Sequence, residues 1–339
     1  MWLNTTWFVL YVVVIAGYAI LDGFDLGVGV LSKVVAKNDR EQRLVLNSIG
    51  PVWDGNEVWL VLAGGVLFAA FPVVYASMFS GFYLAMWLVL FVLIMRTVAI
   101  EFRSKRESPR WRAMWDWMFF ASSLGITLLL GVALGNVVRG VPIDANGDME
   151  LNFWSLLNPY SLALGVVSVV MFTLHGAIFL TLKIEDELLE RTKRTIPRLM
   201  TTFFVMMTLL IGWTLLLDQP IPQNYLARPW LLLFPALALG AALFAWREIV
   251  AERFLQAFLA SSAMIALLMA SVAGALYPVL IPSSIDPAYD LTIYNAASAE
   301  PTLRVMLVIT IIGMPFVLLY TAGIYFFFRG KVRLEADSY

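Results

Sequence analysis

Two aspartates, Asp22 and Asp25, sit three residues apart within an apolar run that opens the chain. At i, i+3 spacing they share one face of a helix. The run that carries them spans a bilayer only narrowly. Fourteen Ile, Leu, Val and Phe residues between Phe8 and Leu31 favour insertion, by about 4–8 kcal/mol on the translocon scale. Two central aspartates oppose it by about 5–7 kcal/mol. The acids must therefore face protein, water or a cation, not lipid. A carboxyl held there without a fixed counter-ion suits a proton relay. A second acidic pair, Asp54 and Glu57, opens the second run in Trp53-Asp54-Gly55-Asn56-Glu57-Val58-Trp59. Asp followed three residues later by Glu also resembles a helix capping box. Against pure capping stands the concentration of Asp54, Asn56 and Glu57 on the same membrane side as Asp25, which suggests an uptake route for protons or cations. Arg96, near the inner end of the third run, either snorkels to the interface or pairs with a carboxylate of the first two runs. His175 is the one histidine. Its readings are an interhelical hydrogen bond, a member of a proton path, or a metal or haem ligand.

The elements that must position these residues are transmembrane helices. The chain has 339 residues, 61% hydrophobic, above the share usual in soluble domains, and backbone in lipid is satisfied only by helices or closed barrels. Nine apolar runs can be read, at 7–32, 55–76, 78–95, 117–138, 160–182, 199–217, 229–246, 257–280 and 305–328, each of adequate length for the hydrocarbon layer. The expectation is an all-α, polytopic membrane protein of nine helices forming one membrane domain over 1–339. Threading the runs back and forth places 20 of the 23 Lys and Arg on one face, leaving Arg139, Arg228 and Arg304 on the other. Positive residues mark the cytoplasmic side, so the N-terminus is expected outside and the C-terminus in the cytoplasm. The first run lacks a cleavage pattern after a basic start and reads as a retained span, not a signal peptide.

Cysteine is absent, which removes disulfides, thiolate metal sites, iron–sulfur clusters and Cys nucleophiles. One His and no Cys exclude the multi-His sites typical of copper or non-haem iron, so no metal site is expected in this chain and any redox centre is expected to be ligated elsewhere. The basic residues are loop anchors and form no groove for nucleic acid. Runs two and three should form a hairpin about a turn at 71–75. The segment 96–116 reads as the most basic loop, and 183–198 as a helical extension of the fifth span. Longer segments at 139–159, 218–228 and 281–304 read as outer loops. Gly23 and Gly27, and Gly131 and Gly135, form small-xxx-small pairs that bring helices close, either within this chain or at a subunit interface.

With these residues in view, the chain resembles subunit II of the cytochrome bd-type quinol oxidases. The resemblance rests on Asp22-Gly23-Phe24-Asp25-Leu26-Gly27-Val28-Gly29, on Trp53 to Trp59, and on Ala63-Gly64-Gly65. It also rests on Phe79-Ser80-Gly81-Phe82-Tyr83, on Arg96 through Arg103-Ser104-Lys105, and on His175-Gly176-Ala177. It is close over 18–105 and weaker beyond. It implies a bacterial cytoplasmic-membrane heterodimer with a homologous subunit I, which would hold two b haems, a d haem and the quinol-binding loop. The complex would oxidise quinol on the outer side and reduce O₂ with cytoplasmic protons. A small single-span accessory subunit and a quinone bound within this subunit are compatible with the family, though no motif here places either. The resemblance assigns Asp25 and Asp54 to proton conduction, with Asp22 and Glu57 in support and no catalytic haem ligand in this chain.

Two rival readings follow from the same residues. A proton-coupled secondary transporter would use Asp25 and Asp54, but would be expected to show broken helices in two repeated halves. Here the Gly-rich acidic motifs occur only in the first two runs. A purely structural membrane subunit would use the acids as caps or ion-pair partners.

Overall fold

A computed structural model describes residues 1–149, 151–216 and 220–334. The helices are α1 Trp2–Val35, α2 Asp39–Ile49, α3 Trp53–Ala70, α4 Pro72–Gly81, α5 Tyr83–Phe102 and α6 Pro109–Arg139. They continue with α7 Phe153–Leu156, α8 Pro159–Lys183, α9 Asp186–Leu215, α10 Pro220–Ala227, α11 Leu233–Val250, α12 Phe254–Leu276 and α13 Glu300–Phe327. Eight helical segments among the described residues are long and apolar enough to cross a membrane. The expected second span, α3, is not one of them: its 18 residues begin with Asp54, Asn56 and Glu57, and these polar groups dilute a short helix. A two-stranded antiparallel ribbon, β1 Val279–Ile281 with β2 Leu291–Thr292, lies between α12 and α13.

Several boundaries depart from the sequence expectation, each for a local reason. The turn between the second and third runs is Phe71 alone (φ −133°, ψ 63°), because Pro72 restarts a helix at once. Proline fits the first helical position, where its missing N–H is not needed. The chain then runs through α4 and α5 with a break at Phe82. The basic segment 96–116 is mostly helical: α5 extends to Phe102, a short 3₁₀ turn covers Arg103–Lys105, and α6 begins at Pro109. The basic extension at 183–198 belongs to the following helix, not the preceding one. Ile184 and Glu185 are extended and Asp186 has φ +55°, so α8 stops at Lys183 and α9 begins at Asp186. The outer segment expected at 218–228 begins with residues outside those described; α10 occupies most of the rest.

Helix α1 forms the centre, packing against α3, α6, α8 and α12; α6 also packs on α8, and α11 on α12. In lipid this association depends on close fit and not on apolar burial. Both small-residue pairs are spent within the chain, on α8. A Cβ at Gly27 would lie 1.8 Å from the Phe172 carbonyl oxygen, and one at Gly176 would lie 2.5 Å from the Gly27 carbonyl carbon. Gly131 faces Gly165 and Ser168, and Gly135 faces Ser161. The contact at Gly27 and Gly176 fixes the depth of α1 against α8, and hence the depth of Asp22 and Asp25.

Candidate functional site: a buried carboxyl cluster

The last third of α1 is buried on every side from Asp22 to Ser32. Both aspartates are fully enclosed, at 0% exposure. They have different partners. Arg96 of α5, also at 0% exposure, reaches Asp22 with both terminal nitrogens: Nη2 lies 2.7 Å from Oδ1 and Nη1 donates to Oδ2 at 3.1 Å. Arg96 therefore does not snorkel. The alternative reading, pairing with a carboxylate of the first helix, is the one realised. Asp22 is committed to an ion pair, as a buried charge in a low-dielectric layer must be.

Among the described residues no cation lies within ion-pair distance of Asp25; nearby Arg96 is paired with Asp22. Oδ2 of Asp25 accepts a hydrogen bond from Nδ2 of Asn56 at 2.7 Å, while Oδ1 is buried without a hydrogen-bond partner. Asn56 belongs to α3. Its Nδ2 also donates to the Leu21 carbonyl at 3.2 Å, and its Oδ1 accepts the hydroxyl of Tyr325, from the last turn of α13, at 2.8 Å. The acidic motifs of α1 and α3 thus meet through an asparagine, and the end of the chain closes the cluster from the far side.

Asp54 and Glu57 flank that asparagine. Asp54 is exposed and Glu57 half-buried. Neither serves as a cap: the residue before the first turn of α3 is Val52, and no side chain caps that end. Asp54 lies on the exposed face of α3 with no hydrogen-bond or ion-pair partner among the described residues, in a stripe that continues with Val58, Val61 and Phe68.

His175 of α8 lies apart from the carboxyl pair. Its Nε2 donates to the Ile20 carbonyl at 3.1 Å, Nδ1 lies 2.8 Å from Oγ of Ser261, and the ring stacks on Phe258 with centroids 5.0 Å apart. This is the interhelical bond, joining α8 to α1 and α12. Both ring nitrogens are occupied, so an axial haem bond would require giving one up. No group of three or more potential metal ligands occurs among the described residues. Among the described residues, His175 with both nitrogens engaged does not fit a haem iron.

Sequence reasoning missed Tyr325, which reads in the sequence as one more aromatic at a membrane interface. It also missed a second charge cluster at the basic end, buried at Arg103 and Asp116 and open to solvent at Asp39. There Arg103 is 1% exposed and donates through Nε to Asp116 at 2.5 Å and through Nη2 to Asp39 at 2.8 Å.

A model of the cytochrome bd terminal oxidase subunit II family matches residues 3–328. The chain belongs to that family. Among its relatives, cytochrome bd-I ubiquinol oxidase subunit 2 of Escherichia coli (strain K12) is 38% identical, with 98% of this chain and 96% of the relative covered. A probable cytochrome oxidase subunit 2 of Haemophilus influenzae is 36% identical over 99% of this chain and 96% of the relative. Cytochrome bd ubiquinol oxidase subunit 2 of Bacillus subtilis (strain 168) is 34% identical, covering 97% of each chain. The solved structure of the bd oxidase from Geobacillus thermodenitrificans shares the fold: TM-score 0.80, 19% identity, 97% of this chain and 99% of that one. The cytochrome bd subunit II family thus accounts for the whole length of the bundle.

Proposed function

We propose that this chain is subunit II of a bd-type quinol:O₂ oxidoreductase in the bacterial cytoplasmic membrane, and that it lines the route by which protons reach the oxygen-reducing centre. The single observation that carries the proton assignment is Asp25: fully buried, without a cation, and with one carboxyl oxygen unbonded. Asp22 has spent its charge on Arg96. Asp25 has not, and a carboxyl of this kind is suited to take up and release a proton.

In this reading the basic end faces the cytoplasm, with nine spans counting α3, the N-terminus outside and the C-terminus inside. Haem-bearing subunit I is the partner, and the haems it would hold supply electron transfer and oxygen binding. Asp54 marks the surface for that partner. Asp25 lies eight residues before Lys33, about 12 Å of helix rise. Asn56 shares the level of Asp25, so Asp54 is still about 9 Å inside the level of Lys33. An exposed aspartate at that depth costs about 2–3 kcal/mol against lipid. The outer stripe of α3 is therefore covered by subunit I, and Asp54 stands at the seam to pass protons between the chains. Quinol releases its protons outside while water formation consumes protons from inside. That sidedness separates charge without a pump, at about 2.3 kcal/mol for each charge moved against 100 mV.

Tagging the chain in its native membrane and recording a reduced-minus-oxidised spectrum of what co-purifies tests the assembly. A d-type haem signal with a second large subunit is expected; a haem-free chain recovered alone from mild detergent would point to the transporter reading. For the proton route, Asp25→Asn and Asp54→Asn should slow oxygen reduction with haem content intact. Normal turnover in both would remove the assignment.

A further inference from the structure

The amide of Asn56 stands between a carboxylate and a phenol, and its orientation is settled by what surrounds it. On one side are two acceptors, Asp25 Oδ2 at 2.7 Å and the Leu21 carbonyl at 3.2 Å, so the NH₂ must point there. On the other, the Tyr325 hydroxyl donates to Oδ1 at 2.8 Å. Every hydrogen-bonding direction of the amide that faces a neighbour is used. Reversing it would set oxygen against oxygen at Asp25 and at Leu21.

We infer that Asn56 and Tyr325 are positioning residues for the proton on Asp25: the phenol holds the amide so that its NH₂ occupies Oδ2, and the proton is loaded and released at the other oxygen, Oδ1. This rests on Asp25 being the proton carrier. Oδ1 is the buried carboxyl oxygen that no donor occupies. A donor on Oδ2 stabilises the ionised carboxyl, so the amide makes release possible after uptake, and the phenol keeps the amide from turning away. Without the Tyr325 hydroxyl, Oδ1 of the amide is left unsatisfied in a buried site, which costs free energy and loosens the whole group.

The place of Tyr325 is set from the end of the chain. The most apolar stretch of α13 has none of its residues buried, so its basic end is tied by polar contacts. Lys183 Nζ donates to the Phe328 carbonyl at 2.6 Å, and the Val332 N–H donates to the Lys183 carbonyl at 2.8 Å. Lys331 Nζ donates to the carbonyls of Thr181 at 3.0 Å and Ile184 at 2.7 Å, closing the end of α8. The tail thereby delivers Tyr325 to α3.

The test uses the assembled oxidase with saturating short-chain quinol. Tyr325→Phe should lower turnover per haem about fivefold, the scale of one neutral hydrogen bond. KM for quinol and haem content should stay unchanged, and the solvent deuterium isotope effect should increase. Asn56→Leu, close in shape to the amide, should do the same and serves as the second variant if Tyr325→Phe does not assemble. Combined with Asp25→Asn, Tyr325→Phe should add nothing, because both act on one proton. Full turnover in Tyr325→Phe or Asn56→Leu beside a slow Asp25→Asn would overturn the positioning role and leave the carrier standing. Additive losses in the double variant would also overturn it. Normal turnover in Asp25→Asn would remove the carrier itself.

Discussion

Two clusters of charge lie toward the basic end of this molecule, one fully enclosed and one partly open to solvent, and they are balanced in opposite ways. At the ends of the helices, Arg103 bridges Asp116 and Asp39, Arg112 takes the other oxygen of Asp39 at 2.9 Å, and Lys33 lies 3.6 Å from Asp116. Cations outnumber carboxylates there. Deeper in, Arg96 serves Asp22 while Asp25 receives only an amide, and carboxylates outnumber cations. The first arrangement is what stability requires, since a buried charge must be compensated. The second leaves one carboxyl uncompensated at the place best enclosed by helices. Compensation separates the ionic groups that hold the bundle from the carboxyl that the proposed function assigns to the proton.

The contrast can be broken most forcefully at Arg103. Arg103→Leu leaves buried Asp116 with only the more distant Lys33, and should cost about 2–3 kcal/mol, less than the loss of a fully enclosed pair, read as loss of assembled complex on gel filtration. Asp25→Asn should do the reverse: assembly and haem content intact, turnover reduced about a hundredfold, the range for removal of a proton-transfer group. If both variants failed in the same way, the distinction between the clusters would collapse. Asp54→Asn should slow turnover less, about tenfold, because an exposed group at a seam has water as an alternative. The smallest effect belongs to Glu41 of α2, whose Oε1 lies 2.5 Å from Arg191. Partial burial pushes its pKa up, but the Lys37 backbone N–H and Arg191 outweigh that and hold it below its ordinary 4.5. A depressed carboxyl pKa contributes stability above the ordinary value that is lost as pH falls through the folded-state value. Thermal melts of the wild type should therefore soften below about pH 4.5 more than those of Glu41→Gln, by less than about 1 kcal/mol. Equal pH slopes would remove Glu41 from the account.

Much of this was legible in the sequence because lipid is a strict solvent. The apolar runs, the small-residue pairs and the clash of two aspartates with an insertion threshold follow from composition and spacing alone. So did the choice facing Arg96, though only the structure shows which carboxylate it takes. What the sequence could not show was the partner of Asp25. Asn56 and Glu57 are neighbours in one polar run, and nothing in their spacing says that the neutral residue turns inward and the acid turns partly outward. Tyr325 is 269 residues from Asn56, and the tail clamp on α8 together with packing on Phe24 brings it there. The helix ends were misread where a single residue decides them, as at Phe71 before Pro72 and at Asp186 with its positive φ.

The most direct test is proton uptake by the oxidase reconstituted into liposomes with its basic end inward. A pH dye trapped in the lumen would follow the oxidation of fully reduced complex by an O₂ pulse. Wild type should take protons from the lumen with each turnover, and Asp25→Asn should react with O₂ at first but take them up about a hundredfold more slowly. Luminal uptake at the wild-type rate in Asp25→Asn, with haem content equal, would contradict the assignment of Asp25.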